Sequence, residues 1–362
     1  VRTSWVTPGC VACLIMIPVL LVACTLTDPQ AGDGPAPQAV TPEGGGSWYQ
    51  VYFTDPQAPG ASEYEGGVDE ALATAIDAAH ASVDVAIYNL NLWSIRNALL
   101  DAHDRGVLVR VVAESDNLDS EEFQDLIEAQ IAVLGDRREG SMHNKFVIID
   151  QSEVWTGSMN FTLSGAYADN NNMIRVRSDE IAARYLAEFN EMFEQDLFGD
   201  DILPQASMSA IQIGETSVEV YFSPDDQVEA RILEILEGAR RSIQFLAFSF
   251  TSDPIGEALL SRAAARLDVT GVMDAEQAVS NVGTEYENFL QSGLDVRLDG
   301  NDGQMHDKVL IVDGEILITG SYNFSRNAEE TNDENVLIIH DARLAATYLA
   351  EFQQIFAQAA PP

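Results

Sequence analysis

Two short stretches of the chain carry the same reactive side chains in the same order. The first runs Met142-His143-Asn144-Lys145-Phe146-Val147-Ile148-Ile149-Asp150 and, six residues later, Gly157-Ser158-Met159-Asn160. The second runs Met305-His306-Asp307-Lys308-Val309-Leu310-Ile311-Val312-Asp313, then Gly320-Ser321-Tyr322-Asn323, with its histidine 163 residues after the first. On a strand, His and Lys at i and i+2 share one face while Asn144 or Asp307 points away. An imidazole titrates near ~6.5, so it suits both nucleophilic attack and proton transfer. The glycine permits close backbone approach, and Asn160 and Asn323 offer amide donors. If the copies converge, a phosphodiester would meet two ammonium groups and two amides, with an imidazole on either side.

Composition sharpens the signal. Lys145 and Lys308 are the only lysines, and the other 17 basic residues are arginine. A site that needs a compact ammonium explains why lysine occurs at these two positions alone.

The surrounding elements repeat as well. Residues 49–54, 82–88 and 107–113 read as strands, and 68–80, 93–105 and 120–129 as helices. The second half replays this order with strands at 218–223, 242–250 and 267–273 and helices at 229–241, 254–265 and 285–291. After each motif come a further strand and a helix, and those helices contain Arg184-Tyr185-Leu186-Ala187-Glu188-Phe189 and Thr347-Tyr348-Leu349-Ala350-Glu351-Phe352. Strands alternating with helices predict an α/β fold, each half a mostly parallel sheet covered by helices, packed about a pseudo-two-fold axis. The runs Phe146 to Ile149 and Val309 to Val312 read as strands buried on both faces. The organisation expected is a first half over 48–196, a connection over 197–216 and a second half over 217–358.

At 362 residues with 46% hydrophobic content, the chain is long and apolar enough for a packed core. Its net charge of -39 argues against a broad basic groove for polyanions. The three cysteines, Cys10, Cys13 and Cys24, precede the folded part and supply it with no disulfide framework. Arg2 precedes an apolar run from Val11 to Ala23 of signal-peptide length. Its end, Leu21-Val22-Ala23-Cys24, resembles the lipobox of bacterial lipoproteins, which implies lipidation at Cys24. An ordinary signal peptide or an uncleaved anchor are the other readings, and all three put the folded part outside the cytoplasm. Residues 25–47 are rich in Pro, Gly and Ala and read as a tether.

The doubled motif resembles the phospholipase D superfamily, whose signature is this His-Lys-Asp pattern with a downstream Gly-Ser-x-Asn. The resemblance covers roughly residues 48–358. It implies cleavage of a phosphodiester through a covalent phosphohistidine, without metal or other cofactor. By the same resemblance His143 is the expected nucleophile and His306 the acid and base. Lys145, Lys308, Asn160 and Asn323, with Ser158 and Ser321, are expected to bind the phosphate, while Asp150 and Asp313 brace the motif. Family members also carry an acidic residue beyond Gly-Ser-x-Asn that orients a catalytic histidine. Glu334 fits that role, but the first-half counterpart is Asn171, which leaves one histidine without a carboxylate from that position.

A phospholipid is the expected substrate, given the expected membrane tether and the acidic charge. The alternatives are a nuclease of the same superfamily acting on DNA or RNA, and a non-catalytic envelope-binding protein. Oligomeric state, headgroup, and water versus alcohol as acceptor stay open. His80, His103 and His340 lack the motif context and read as structural. Asn160-Phe161-Thr162 and Asn323-Phe324-Ser325 match the glycosylation sequon only because they overlap the motif. The Asp299-Gly300-Asn301-Asp302-Gly303 stretch reads as a turn and lacks a full calcium loop. Arg137 and Arg138 read as an exposed surface pair.

Overall fold

The computed structural model describes residues 48–199 and 209–361. Cys24, the apolar run before it and the 25–47 tether lie outside the described residues. In the first half, β1 (Tyr49–Phe53), β2 (Ser82–Ile87), β3 (Leu108–Ala113), β4 (Ala132–Gly135), β5 (Lys145–Ile149), β6 (Glu153–Gly157) and β7 (Asn172–Arg177) form one sheet. Its order is β1-β7-β6-β5-β2-β3-β4. The helices of this half are α1 (Val68–Asp77), α2 (Trp93–Asp104), α3 (Glu121–Glu128), α4 (Leu163–Tyr167) and α5 (Asp179–Gln195).

The second half contributes β8 (Ile211–Ile213), β9 (Thr216–Ser223), β10 (Ser242–Ala247), β11 (Asp268–Met273), β12 (Asp295–Leu298), β13 (Lys308–Val312), β14 (Ile316–Gly320) and β15 (Glu334–His340). Its helices are α6 (Val228–Gly238), α7 (Asp253–Ala264), α8 (Ala275–Ser280), α9 (Tyr286–Gln291), α10 (Arg326–Glu330) and α11 (Ala342–Gln358). The sheet order is β12-β11-β10-β13-β14-β15-β9-β8, the first-half order repeated with β8 added at one edge. That added strand arises from the connection and pairs with β9.

The α/β class and the two similar halves match the sequence expectation, but the sheets are mixed, not mostly parallel. Among the described residues, the parallel pairings are β2–β3 and β3–β4 in one sheet and β10–β11 and β11–β12 in the other. The remaining pairings are antiparallel. The reason is chain length. Only three residues join β5 to β6, and three join β13 to β14, enough for a hairpin but not for a helical crossover.

Each motif strand alternates between two cores. Phe146 and Ile148 of β5 face a core shared by both halves, while Val147 and Ile149 face one under α1, α2 and α3. Val309 and Ile311 of β13 face the shared core, and Leu310 and Val312 face a third under α6, α7 and α9. The shared core also takes Tyr185 and Phe189 from α5 and Tyr348 and Phe352 from α11, so the two matching helices lie at the seam. Ser178 caps α5 through the Ile181 N–H, and Asp341 caps α11 through those of Arg343 and Leu344. Among the described residues no helix is long and apolar enough to cross a membrane.

Candidate active site

The residues just before each motif strand pair with the opposite half. His143 N donates to Asp333 O at 3.0 Å, and Asp333 N donates back to Ser141 O at 2.9 Å. The mirror contact joins Asn170 N to Gln304 O at 2.7 Å and His306 N to Asn170 O at 2.9 Å. These two short bridges fix each histidine against the segment that supplies its partner.

The partners differ. The ring Nδ1 of His143 lies 2.8 Å from both carboxylate oxygens of Glu334, which comes from the second half. The ring Nδ1 of His306 lies 2.9 Å from Oδ1 of Asn171, which comes from the first. In either case an acceptor on Nδ1 fixes the proton there and leaves Nε2 free. Burial holds both imidazoles well below their ordinary range; the ammonium groups of Lys145 and Lys308 add to the effect, while a seam carbonyl (Ser321 for His143, Ser158 for His306) opposes it. Burial pushes the Glu334 carboxyl up to about 8, against the downward pull of both lysines.

Lys145 is fully buried and Lys308 is 2% exposed. Each ammonium donates to the carbonyl of its own histidine, Lys145 to His143 at 2.7 Å and Lys308 to His306 at 2.6 Å. Each keeps further N–H donors. Burial depresses both, Lys308 to about 7, while Glu334 pulls both upward. The two histidines, two lysines and Glu334 therefore act on one another electrostatically across the seam.

Aromatic rings complete the floor. Tyr88 packs edge-on against His143 with centroids 5.0 Å apart and lies 5.2 Å from the Lys145 ammonium. Phe248 takes the equivalent place, 4.7 Å from the His306 ring and 4.9 Å from Lys308. Sequence reasoning missed this pair. Its signal was available, since both follow directly on repeat-equivalent strands, β2 and β10.

The side chains pointing away from the site tie the halves together. Asn335 Nδ2 donates to Asn144 Oδ1 at 2.9 Å, and Asn172 Nδ2 donates to Asp307 Oδ1 at 2.6 Å. Ser158 and Ser321 do not serve as expected. Both are fully buried, and their hydroxyls are committed to other groups. Ser158 Oγ donates to Asn171 Oδ1 at 2.8 Å, and Ser321 Oγ accepts from Asn335 N at 2.9 Å. Ser158 thus holds the partner of His306, and Ser321 holds the strand that carries the partner of His143.

The family described as "Cardiolipin synthase, PLD-like domain" matches residues 72–193 and again 232–356. The chain belongs to this phospholipase D-like family. A phospholipase D of Rickettsia typhi is 32% identical over 164 residues, covering 44% of this chain and 78% of its own length. The human mitochondrial cardiolipin hydrolase is 37% identical over 134 residues, 36% of this chain and 52% of its own. The chain thus spans about half the length of that relative. The crystal structure of phosphatidylserine synthase from Haemophilus influenzae covers 86% of this chain and 87% of its own, with a TM-score of 0.65 at 16% identity, a likeness of fold.

The other motif residues of this phospholipase D-like chain have separate surroundings. Asn160 and Asn323 are partly buried, and each has a buried amide oxygen without a partner among the described residues. Asp150 takes the backbone N–H groups of His80, Ala81 and Ser82, and Asp313 those of Arg240, Arg241 and Ser242. Both aspartates are braces and face away from the chemistry. The glycines before Ser158 and Ser321 answer to a neighbouring strand, not to a ligand. A Cβ on Gly157 would sit 2.1 Å from Asn172 O, and one on Gly320 2.1 Å from Asn335 O. Arg138 is not a surface residue as expected, because its guanidinium bonds the buried Asp333 at 2.5 Å across the seam. Arg137 is exposed and pairs with Asp196.

Proposed function

We propose that the chain hydrolyses a phosphodiester through a phosphohistidine on His143, with a phospholipid as substrate. The observation that carries this reading is the unequal pair of histidine partners. Glu334 offers His143 a carboxylate, which balances the positive charge that builds on the ring when Nε2 bonds phosphorus. Asn171 offers His306 only a neutral amide, and its acidity suits it to give up a proton.

In the first step His143 Nε2 bonds phosphorus while the bond to the leaving oxygen breaks, and that oxygen takes the proton from His306 Nε2. In the second, His306 Nε2 takes a proton from water as the water oxygen bonds phosphorus and the P–N bond breaks. Lys145 and Lys308, with the amides of Asn160 and Asn323, would stabilise the five-coordinate phosphorus. The incoming phosphodiester anion itself favours protonation of His306 and of both lysines.

Phospholipid is favoured as substrate by relatives named for phospholipase D and cardiolipin hydrolase. The net charge of -39 opposes the clustered cations that long nucleic acids need. A lipid tether at Cys24, holding the chain at a membrane outside the cytoplasm, belongs to the same proposal. The test is mass spectrometry after rapid acid-free quenching with phosphatidylcholine, cardiolipin or DNA, each in chelator. A phosphoryl adduct on His143 with lipid is the expected result. An adduct with DNA alone makes the chain a nuclease, and no adduct or turnover with any of them leaves a binding protein.

A further inference from the structure

The two seam helices match through Glu188 and Phe189 on α5 and Glu351 and Phe352 on α11, and then diverge. Three residues after each glutamate, the first half has Glu191 where the second has Gln354. Gln354 Nε2 donates to Glu351 Oε2 at 3.1 Å, so the second-half carboxylate receives an amide hydrogen. A carboxylate at the same place supplies no such donor.

The first-half site instead gathers acceptors. One carboxylate oxygen each from Glu188, Glu191 and Asp225 lies within 4.8 Å of the others. Asp225 follows β9, so the three come from both halves of the chain. Glu188 is 2% exposed and, among the described residues, accepts no hydrogen bond. The guanidinium whose charge reaches Asp225, that of Arg138, is held elsewhere, with Nη2 on Asp333 at 2.5 Å and Nε 4.0 Å from Asp136. A buried carboxylate that accepts no hydrogen bond among the described residues is costly, and burial with the neighbouring acids pushes Glu188 well above its ordinary range and Asp225, against the pull of Arg138, up to about 7.

We propose that Glu188, Glu191 and Asp225 bind a hard divalent cation that clamps the two halves together. Oxygen-only ligands of this kind suit calcium, magnesium or manganese, with waters filling the remaining positions. The site is structural and separate from the chemistry. Asp333 adds its negative charge at Glu188, and the next residue is Glu334, so the ion steadies the segment that reaches His143.

The experiment titrates the purified full chain, stripped with chelator, with calcium, magnesium and manganese chlorides by calorimetry, and follows the melting temperature. Sodium chloride at matched ionic strength controls for screening of so acidic a chain. The expected result is one saturable site per chain and a rise in melting temperature with at least one of the three ions. Glu191→Gln copies the second-half arrangement, so it should fold, melt at or above the metal-free parent, and lose the binding. Glu351→Gln should keep it. No saturable binding with any ion, or undiminished binding in Glu191→Gln, overturns the proposal.

Discussion

The hydroxyl of Tyr185 on α5 donates to Oδ1 of Asn335 across the seam at 3.2 Å, and Tyr348 on α11 returns the contact to Asn172 at 3.1 Å. The same amide oxygens accept from Thr156 at 2.6 Å and Thr319 at 2.9 Å. Each amide in turn donates to Asn144 or Asp307 beside a motif histidine. Removing one tyrosine hydroxyl leaves the amide oxygen its threonine. Tyr185→Phe and Tyr348→Phe should therefore each cost about 1 kcal/mol, and the double variant about the sum. Urea denaturation measures this, and a strongly non-additive double variant would mean that the seam behaves as one network.

Glu334→Gln keeps an acceptor for His143 Nδ1 but removes the charge. Under the proposed mechanism its effect falls on the transition state, so kcat should drop by about 10²- to 10⁴-fold with KM little changed. Steady-state hydrolysis of phosphatidylcholine in mixed micelles gives both constants. A fall confined to KM would assign Glu334 to substrate binding.

Asn171→Asp restores the carboxylate that the second half has. The added charge should raise the pKa of His306 and move the alkaline limb of the pH–rate profile up by about one unit. The variant also loses the Asn171 Nδ2 donor to Gly165 O, now at 2.9 Å, so a modest loss of stability is expected alongside. If the acidic limb moves instead, His306 is the nucleophile and the two roles exchange.

How much of this was legible in the residues depends on whether the signal is local. The motif strands and the helices that cover them follow from spacing within a few residues, while the bracing role of Asp150 and Asp313 is what the family resemblance implies, since the N–H groups they hold lie 70 and 73 residues away. Asn171 and Glu334 were also marked as an unequal pair by the repeat. The exchange of partners between halves was not legible, because His143 and Glu334 are 191 residues apart and only the folded seam joins them. The serine hydroxyls were misread for the same reason, since what consumes them lies on a neighbouring strand. Strand direction failed because α/β alternation was weighed above the short hairpins that set it. Tyr88 and Phe248 were passed over because one aromatic after a strand looks like core until its lysine is seen beneath it.

Asp150 and Asp313 each sit at positive φ, 50° and 56°, and each gathers three backbone N–H groups from the segment entering the neighbouring strand. Asp150→Ala removes the acceptors and keeps the backbone strain, so a loss of about 1–3 kcal/mol is expected. Asp150→Gly relieves the strain and should fall between Ala and the parent. In both, kcat of the folded fraction should stay close to the parent value, which separates a brace from a catalytic group.

Stability should fall, not rise, as pH increases from mildly acid to neutral. Burial pushes the carboxyl of Glu351 up to about 8, Asp225 to about 7, and Asp226, Asp299, Asp307 and Asp333 to about 6. Each folded value lies above the unfolded one, so between the two the folded chain holds more protons. Their contribution is present below about pH 4.5 and is lost as pH climbs through the folded values. His143 and His306 act in the opposite sense, because their folded values are depressed and they add stability as pH rises toward ~6.5. Lys308, depressed to about 7, adds stability only above that value. The raised carboxyls outnumber the two imidazoles, so in chelator the melting temperature should decline between about pH 5 and about pH 7. Calorimetric scans across that range decide it, and a melting temperature that climbs instead would mean that those carboxyls are ionised in the folded chain.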